Sequence, residues 1–561
     1  MKGIKFVVAA VFTLLLTLFI TPVLARTVST VNVQILAVND FHGNLEPPTG
    51  SSGRITTITP TGPVTVDAGG VEFLATHIKN LRATNPNTVV VSAGDMIGAT
   101  PLLSALFRDE PAVEAFNQIG LDFNAVGNHE FDEGLTELLR MQRGGCHPVD
   151  GCLDGDDYEG AKFQFLAANV VRERTGKTIF PAYRIRRFAG VPIAFIGMTL
   201  EGTPSIVNPS GIRGLKFLDE ADTVNALVPE LKKKGVENIV VIVHEGGLPA
   251  AGSDPNTCPG ISGAIVDIIN RTSDDVDLFI TGHTHQAYNC VVDGRRVTSA
   301  AAFGRLVTDI DLTLDRRTKK ITSVTANNVI ATRDVPRDAD QTGLIEKYRT
   351  IAAPLANRVI GSITADITRA ATPAGESALG DVIADAQLAA TRDPSLGGAV
   401  AAFMNPGGIR ADLTFASSPA GEGNGNVTFG EAFTVQPFGN NLVTLTLTGA
   451  QIDQLLEQQW INQPFPRILQ VSNGFTYSWS ASAPVGSRVS NIAINGTPID
   501  PAASYRVTVN SFLADGGDNF SVLPQGTNRI GGVVDTDALE VYFRANSPVA
   551  PGPQNRITQL P

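Results

Sequence analysis

A chain of 561 residues with 43% hydrophobic and 17% charged residues holds enough apolar material for roughly two to four domains, which excludes a single small module, intrinsic disorder and long coiled coils. Lys and Arg number 43 against 55 Asp and Glu, a formal net charge of −12, so the surface as a whole repels phosphate backbones and anionic membranes. Bulk binding of duplex nucleic acid is therefore not expected, and a small anionic substrate would need a local positive centre from metal or arginine.

The first segment sets the compartment. Lys2 and Lys5 precede the apolar run Phe6 to Ile20, and Pro22-Val23-Leu24-Ala25 follows, the order of a secretory signal peptide over residues 1–25. The run is shorter than the roughly 20 residues of a spanning helix. The mature protein is thus expected to be exported, periplasmic or extracellular or wall-associated, with no membrane span after cleavage. From Val31 to about Ile330, short runs such as VNVQILAV, NTVVVSAG, VPIAFIGM, ENIVVIVH and VDLFITG alternate with helical stretches, the pattern of an α/β domain with a buried sheet over residues 26–335. The four cysteines all fall in this part. In an exported chain they read as two disulfides, with spacing proposing Cys146 with Cys152 and Cys258 with Cys290 out of three possible pairings.

Thr342 to Arg358 has apolar residues at helical spacing and reads as a linker helix within residues 336–359. Beyond it the composition shifts toward Gly, Asn and Thr. Strands such as LVTLTLTG and YRVTVN mix with helices expected at ALGDVIADAQLAAT and GAQIDQLLEQQW, giving a second, α+β domain over residues 360–561.

Five of the seven histidines stand where an apolar strand-like run stops: His42, His129, His244, His283 and His285. Asp40, Asp95 and Asn128 sit at equivalent points. Side chains just beyond strand C-termini converge on one edge of an α/β sheet. In Asp40-x-His42 and His283-x-His285, a period of two would send both side chains to the same side of an extended segment, where each pair could clasp one ion. Oxygen donors mixed with imidazoles suit Zn²⁺, Mn²⁺ or similar ions better than a cysteine-rich structural zinc.

The blocks N-D-F-H-G (39–43), G-D (94–95), G-N-H-E-F-D (127–132), H-E-G (244–246) and G-H-T-H (282–285) resemble the calcineurin-like metallophosphatases. Their order, with the domain that follows, is similar to the secreted 5′-nucleotidase family. The resemblance implies a four-layer β-sandwich flanked by helices, joined by a linker helix to a smaller α+β nucleotide-binding domain. It also implies two divalent metal ions, one held by Asp40, His42 and His285, the other by Asn128, His244 and His283, with Asp95 bridging. His129 and Asp132 would act as a catalytic dyad beside a metal-activated water.

By the same resemblance, Asn405-Pro-Gly407-Gly408-Ile-Arg410 contacts the nucleotide, Phe438 and Phe512 sandwich the base, and Asp518 meets the ribose. A guanidinium suits phosphate and a flat apolar ring suits a base. One departure stands out. Arginines precede the E-[ST]-x-L-G-[DN] block in many relatives, but here Glu376-Ser-Ala-Leu-Gly-Asp381 follows Thr372-Pro-Ala-Gly375, and Arg369 is the nearest candidate. Phosphate gripping would then rest mainly on Arg410. Hydrolysis of 5′-nucleotides is the leading expectation. A 2′,3′-cyclic-nucleotide phosphodiesterase/3′-nucleotidase, a UDP-sugar or NAD pyrophosphatase, and a non-catalytic surface binding protein are the alternatives.

Overall fold

The computed structural model describes residues 30–207, 211–463 and 465–561, so the expected export signal over residues 1–25 lies outside the described residues. Two six-stranded sheets stack in the first half of the chain. One runs in spatial order Lys320–Ile330, Leu306–Asp315, Thr30–Val38, Thr88–Ser92, Phe123–Ala125 and Gln164–Leu166. The other runs Ala287–Val292, Arg295–Ala300, Leu278–Thr281, Asn238–His244, Val191–Thr199 and Tyr183–Phe188. Their central strands are parallel: Leu36 lies opposite Val90, and Val240 opposite both Phe195 and Leu278.

Strand alternation explains the layering. Val33, Ile35, Val89 and Val91 meet Ile193, Phe195, Val240 and Ile242 between the sheets. The intervening Leu36, Val38 and Val90 face the helices Val71–Arg82 and Glu110–Ile119. On the far side, Ala194, Ile196, Val241 and Val243 pack under Glu220–Lys233 and Ala264–Arg271. The order is helix, sheet, sheet, helix. Local chemistry agrees with it: Asp219 caps Glu220–Lys233 by accepting from the Asp222 N–H, and Lys232 and Lys233 close its C-terminal turn.

The helix Ala339–Ala356 is capped by Asp338 and buries Leu344, Ile345, Tyr348 and Ala352 in the core of the first half. It is docked rather than free-standing. The second half is built on a five-stranded sheet in the order Gln470–Val471, Ala401–Met404, Ser504–Asn510, Asn441–Thr448 and Thr527–Val534. Beside it lie a four-stranded sheet and the helices Ala378–Thr391, Gly449–Glu457 and Asp535–Asn546. Ser377 caps the first of these helices, and Thr448 with Gln451 forms a capping box on the second.

Both disulfides form as the spacing proposed, Cys146–Cys152 and Cys258–Cys290, with Cα separations of 4.7 and 5.5 Å. Cys290 lies on the strand Ala287–Val292, so the second bond fastens the 249–262 loop beside the His283–His285 turn. Among the described residues, no helix is long and apolar enough to cross a membrane.

Candidate metal centre

Five parallel-strand ends deliver the polar side chains. Asp40, Asp95 and Asn128 follow the first-sheet strands Thr30–Val38, Thr88–Ser92 and Phe123–Ala125. His244 ends its own strand in the second sheet, and His283 and His285 follow Leu278–Thr281. They converge into two groups, Asp40/His42/His285 and Asp95/His244/His283, with the potential ligand atoms of each within 4.8 Å of one another. Asp95 Oδ2 lies 2.9 Å from His244 Nε2 and 3.7 Å from His42 Nε2, between the groups. Asn128 Oδ1 is 3.1 Å from His244 Nε2, and Asp40 Oδ1 is 3.3 Å from His285 Nε2.

His283 and His285 do not share a group, contrary to the period-of-two reading. Asp40, His42, His283 and His285 all have positive φ, between 47° and 69°, so these segments are turns rather than extended chain. A left-handed residue redirects the next side chain, and alternation does not apply.

The donor set fits divalent metal. His42 Nδ1 donates to Gly98 O at 2.8 Å and His244 Nδ1 to Ala93 O at 2.7 Å, which turns each Nε2 toward the group, where an ion would take the place of any proton it carries. The Nε2 atoms of His42 and His285 approach to 3.2 Å, an arrangement that a cation between them satisfies. Both carboxylates stay ionised. Burial alone would raise the Asp95 pKa, but His244 and His129 hold it well below the usual carboxylate range; burial likewise opposes charge on Asp40, and His285 overcomes it. Neighbouring imidazoles separate: burial opposes charge on His244, yet Asp95 outweighs it and pushes the pKa to about 10, whereas burial and His244 drive His283 to about 3.

His129 adjoins this centre. Its backbone N–H donates to Asp95 Oδ1 at 2.9 Å, and its Nδ1 meets Asp132 Oδ2 at 2.8 Å. Burial disfavours its charge, but Asp132 and Asp95 prevail and raise its pKa. Asp132 thus serves the imidazole. The following helix Gly134–Arg143 has Glu133 at its N-cap and takes no side-chain cap bond. Gly98 lets the parts close up: its φ is +79°, and a Cβ there would stand 2.4 Å from His129 O and 2.8 Å from Asp132 Oδ2.

Support for the centre comes from residues that strand-end reasoning misses. Glu130 is 2% exposed and accepts from the Gly127, Met96 and Asp95 N–H groups at 2.6, 2.9 and 3.0 Å, and from Asn124 Nδ2 at 3.3 Å. Asn39 Nδ2 donates to Asp40 Oδ2 at 2.6 Å while its Oδ1 accepts from the Ala300 N–H. The G-N-H-E block contains Glu130, but nothing in its spacing marks that carboxylate as the anchor of two loops.

A cavity of about 980 Å³ joins the centre to the second half of the chain. Asn405, Gly407, Gly408, Arg410, Phe438, Phe512 and Asp518 all line it, as do Asp95, Asn128, His129, His283 and His285. The Phe438 ring stacks on His129 with centroids 5.7 Å apart, and Arg410 Cζ lies 5.8 Å from that same ring. Arg410 Nη2 is buried with no partner among the described residues. Arg369 is committed elsewhere, donating to Arg410 O and to Ser52 Oγ at 2.8 Å each, so it ties the two halves together and supports the Arg410 loop. Phe512 packs over Gly517, where a Cβ would stand 2.5 Å from the ring.

Residues 33–287 match the calcineurin-like phosphoesterase family and residues 359–525 match the 5′-nucleotidase C-terminal domain. An endonuclease of Bacillus subtilis is 34% identical over 94% of this chain, which spans 41% of that protein's length. A cell wall protein of Listeria monocytogenes is 32% identical over 92% of this chain and 67% of its own length. The crystal structure of a 5′-nucleotidase precursor from Thermus thermophilus superposes with a TM-score of 0.76 at 28% identity, covering 94% of this chain and 99% of that one.

Proposed function

Since the chain belongs to the 5′-nucleotidase family of calcineurin-like phosphoesterases, metal-dependent hydrolases of phosphoric esters, we propose that it is an exported dinuclear phosphohydrolase acting on nucleotides. The single observation that carries this reading is the shared cavity: Asp95 and His129 open into the same space as Arg410, Phe438 and Phe512. A phosphate near the first group would leave a nucleoside within reach of the second. The leader-like first 25 residues and the likeness to a cell wall protein support export.

Asp40, His42 and His285 would hold one divalent ion, zinc or manganese or similar, and Asn128, His244 and His283 the other, with Asp95 between. Such ions supply Lewis acidity and make water nucleophilic near neutral pH. The chain's own groups do the rest. Arg410, whose Nη1 donates to Gly407 O at 3.3 Å, keeps its buried Nη2 to offer to phosphate charge. His129, whose Nδ1 proton is held by Asp132, can deliver a proton from Nε2 to the departing oxygen, and Asp132 steadies the resulting tautomer. Phe438 and Phe512 orient the base, which converts binding energy into position.

The test is phosphate release by the purified chain from AMP, 2′,3′-cyclic AMP and UDP-glucose, before and after chelation and with Mn²⁺ or Zn²⁺ restored. Hydrolysis of AMP that vanishes with chelator and returns with metal is expected. Failure of every substrate under every metal would overturn the reading, and preference for the cyclic diester would move it to the phosphodiesterase alternative.

A further inference from the structure

The wall of the cavity on the second half of the chain carries a side-chain pair, Asp518 with Arg467, beyond Phe438, Phe512 and Arg410. Asp518 is 4% exposed and sits at φ +56° in the turn Gly517–Asn519. Three contacts fix it. Asn405 Nδ2 donates to Asp518 Oδ2 at 2.9 Å, Gln463 Nε2 donates to Asp518 O at 2.7 Å, and Arg467 Nη1 forms an ion pair with Asp518 Oδ1. Asn405 is steadied in turn by Asn510, whose Nδ2 donates to its Oδ1 at 3.0 Å.

Arg467 itself lines the cavity, with Phe465 beside it and 5.2 Å from guanidinium to ring centre. Its Nε is buried and has no partner among the described residues. A carboxylate has about four lone-pair directions and a guanidinium five N–H donors. After their mutual bond and the Asn405 contact, both retain capacity. An acceptor and a donor locked side by side complement a vicinal diol, in which each hydroxyl gives one hydrogen bond and takes another. A sugar lacking one hydroxyl would leave part of that buried pair unmatched. A phosphate in the same place would meet Arg467 but also the Asp518 carboxylate.

Resting on the nucleotide reading above, we propose that Arg467, which fixes Asp518 and sets a donor beside it, is a specificity-determining residue that makes the cavity selective for a ribose bearing both its 2′ and 3′ hydroxyls. A role in stability alone would leave the sugar preference untouched.

The experiment compares kcat/KM of the metal-loaded full chain for AMP, 2′-deoxy-AMP and adenosine 3′,5′-bisphosphate, with Arg467→Ala and Arg467→Lys beside the native protein. The native chain should prefer AMP over 2′-deoxy-AMP by about tenfold or more, mostly through KM. Arg467→Ala should bring that ratio within about threefold, and Arg467→Lys should restore part of it. A native ratio near one overturns the proposal even where the alanine variant does not fold. So does an unchanged ratio in Arg467→Ala, or a preference for the bisphosphate, which would make the guanidinium a phosphate reader. Brisk AMP hydrolysis with no sugar preference would remove this assignment alone, whereas no nucleotide hydrolysis at all would remove the functional reading with it.

Discussion

Replacing Glu130 by glutamine changes one buried oxygen to NH₂ and little else in shape. All four contacts of the native carboxylate are donors: the backbone N–H groups of Asp95 and Gly127 at one oxygen, that of Met96 and Asn124 Nδ2 at the other. Burial, with Asp95, pushes the carboxyl up to about 7, yet four donors and no acceptor facing it select the ionised form. Whichever way the new amide turns, its NH₂ confronts two donors. Two charge-assisted hydrogen bonds are lost, at about 1.5–3 kcal/mol each, so roughly 3–6 kcal/mol must appear as lower stability or as movement of the Asp95 and Gly127 loops. Asp95 and Asn128 sit on those loops. Glu130→Gln should therefore raise the Mn²⁺ or Zn²⁺ concentration needed for half-maximal phosphate release by about 10–100-fold and lower the melting temperature of the metal-free chain. Metal titration of both proteins under one buffer measures the first effect and thermal unfolding the second. A variant with native metal requirement and native melting temperature would show that the Glu130 carboxylate does not brace the centre.

Three further outcomes are expected. His129→Ala should lower kcat by about 10²–10⁴ with little change in metal requirement, measured by steady-state phosphate release, and Asp132→Asn should reproduce much of that loss because it leaves the imidazole unsteadied. Phe512→Ala should raise the KM for AMP by a factor corresponding to about 1–3 kcal/mol of stacking while sparing kcat; an unchanged KM would remove Phe512 from the base contact. For Asp381, burial raises the pKa, Arg556 opposes and Glu376 adds to it, with a result of about 8. The folded chain then binds a proton that the unfolded chain has released, so this contribution to stability is full below the ordinary aspartate value of 3.8 and falls away as pH rises through about 8. Melting temperatures recorded across that range should decline less steeply in Asp381→Asn, and superimposable profiles would refute the assignment.

Much of the architecture was legible in the sequence because strands buried on both faces leave long apolar runs, and VPIAFIGM or ENIVVIVH offers no polar face to solvent. The metal-centre candidates were legible for a related reason: a histidine or aspartate that interrupts such a run marks a strand end. What the runs do not encode is the turn that follows. Positive φ at His283 and His285 divides a pair that strict alternation would keep together. Nor does spacing reveal partners that meet only through the tertiary fold. Glu130 gathers backbone donors from two loops, Arg467 reaches Asp518, and Phe438 lies on His129 although the two are far apart in the chain.

The strand ends that feed the centre come from both sheets: Asp40, Asp95 and Asn128 from one, His244, His283 and His285 from the other. Ions seated among them would work as rivets through the sandwich, so cofactor loading and mechanical cohesion become one property. A batch stripped of cations should breathe along that seam, exchange amide protons there sooner and yield first to proteases at the same rim, making ion content a practical gauge of integrity during purification and storage.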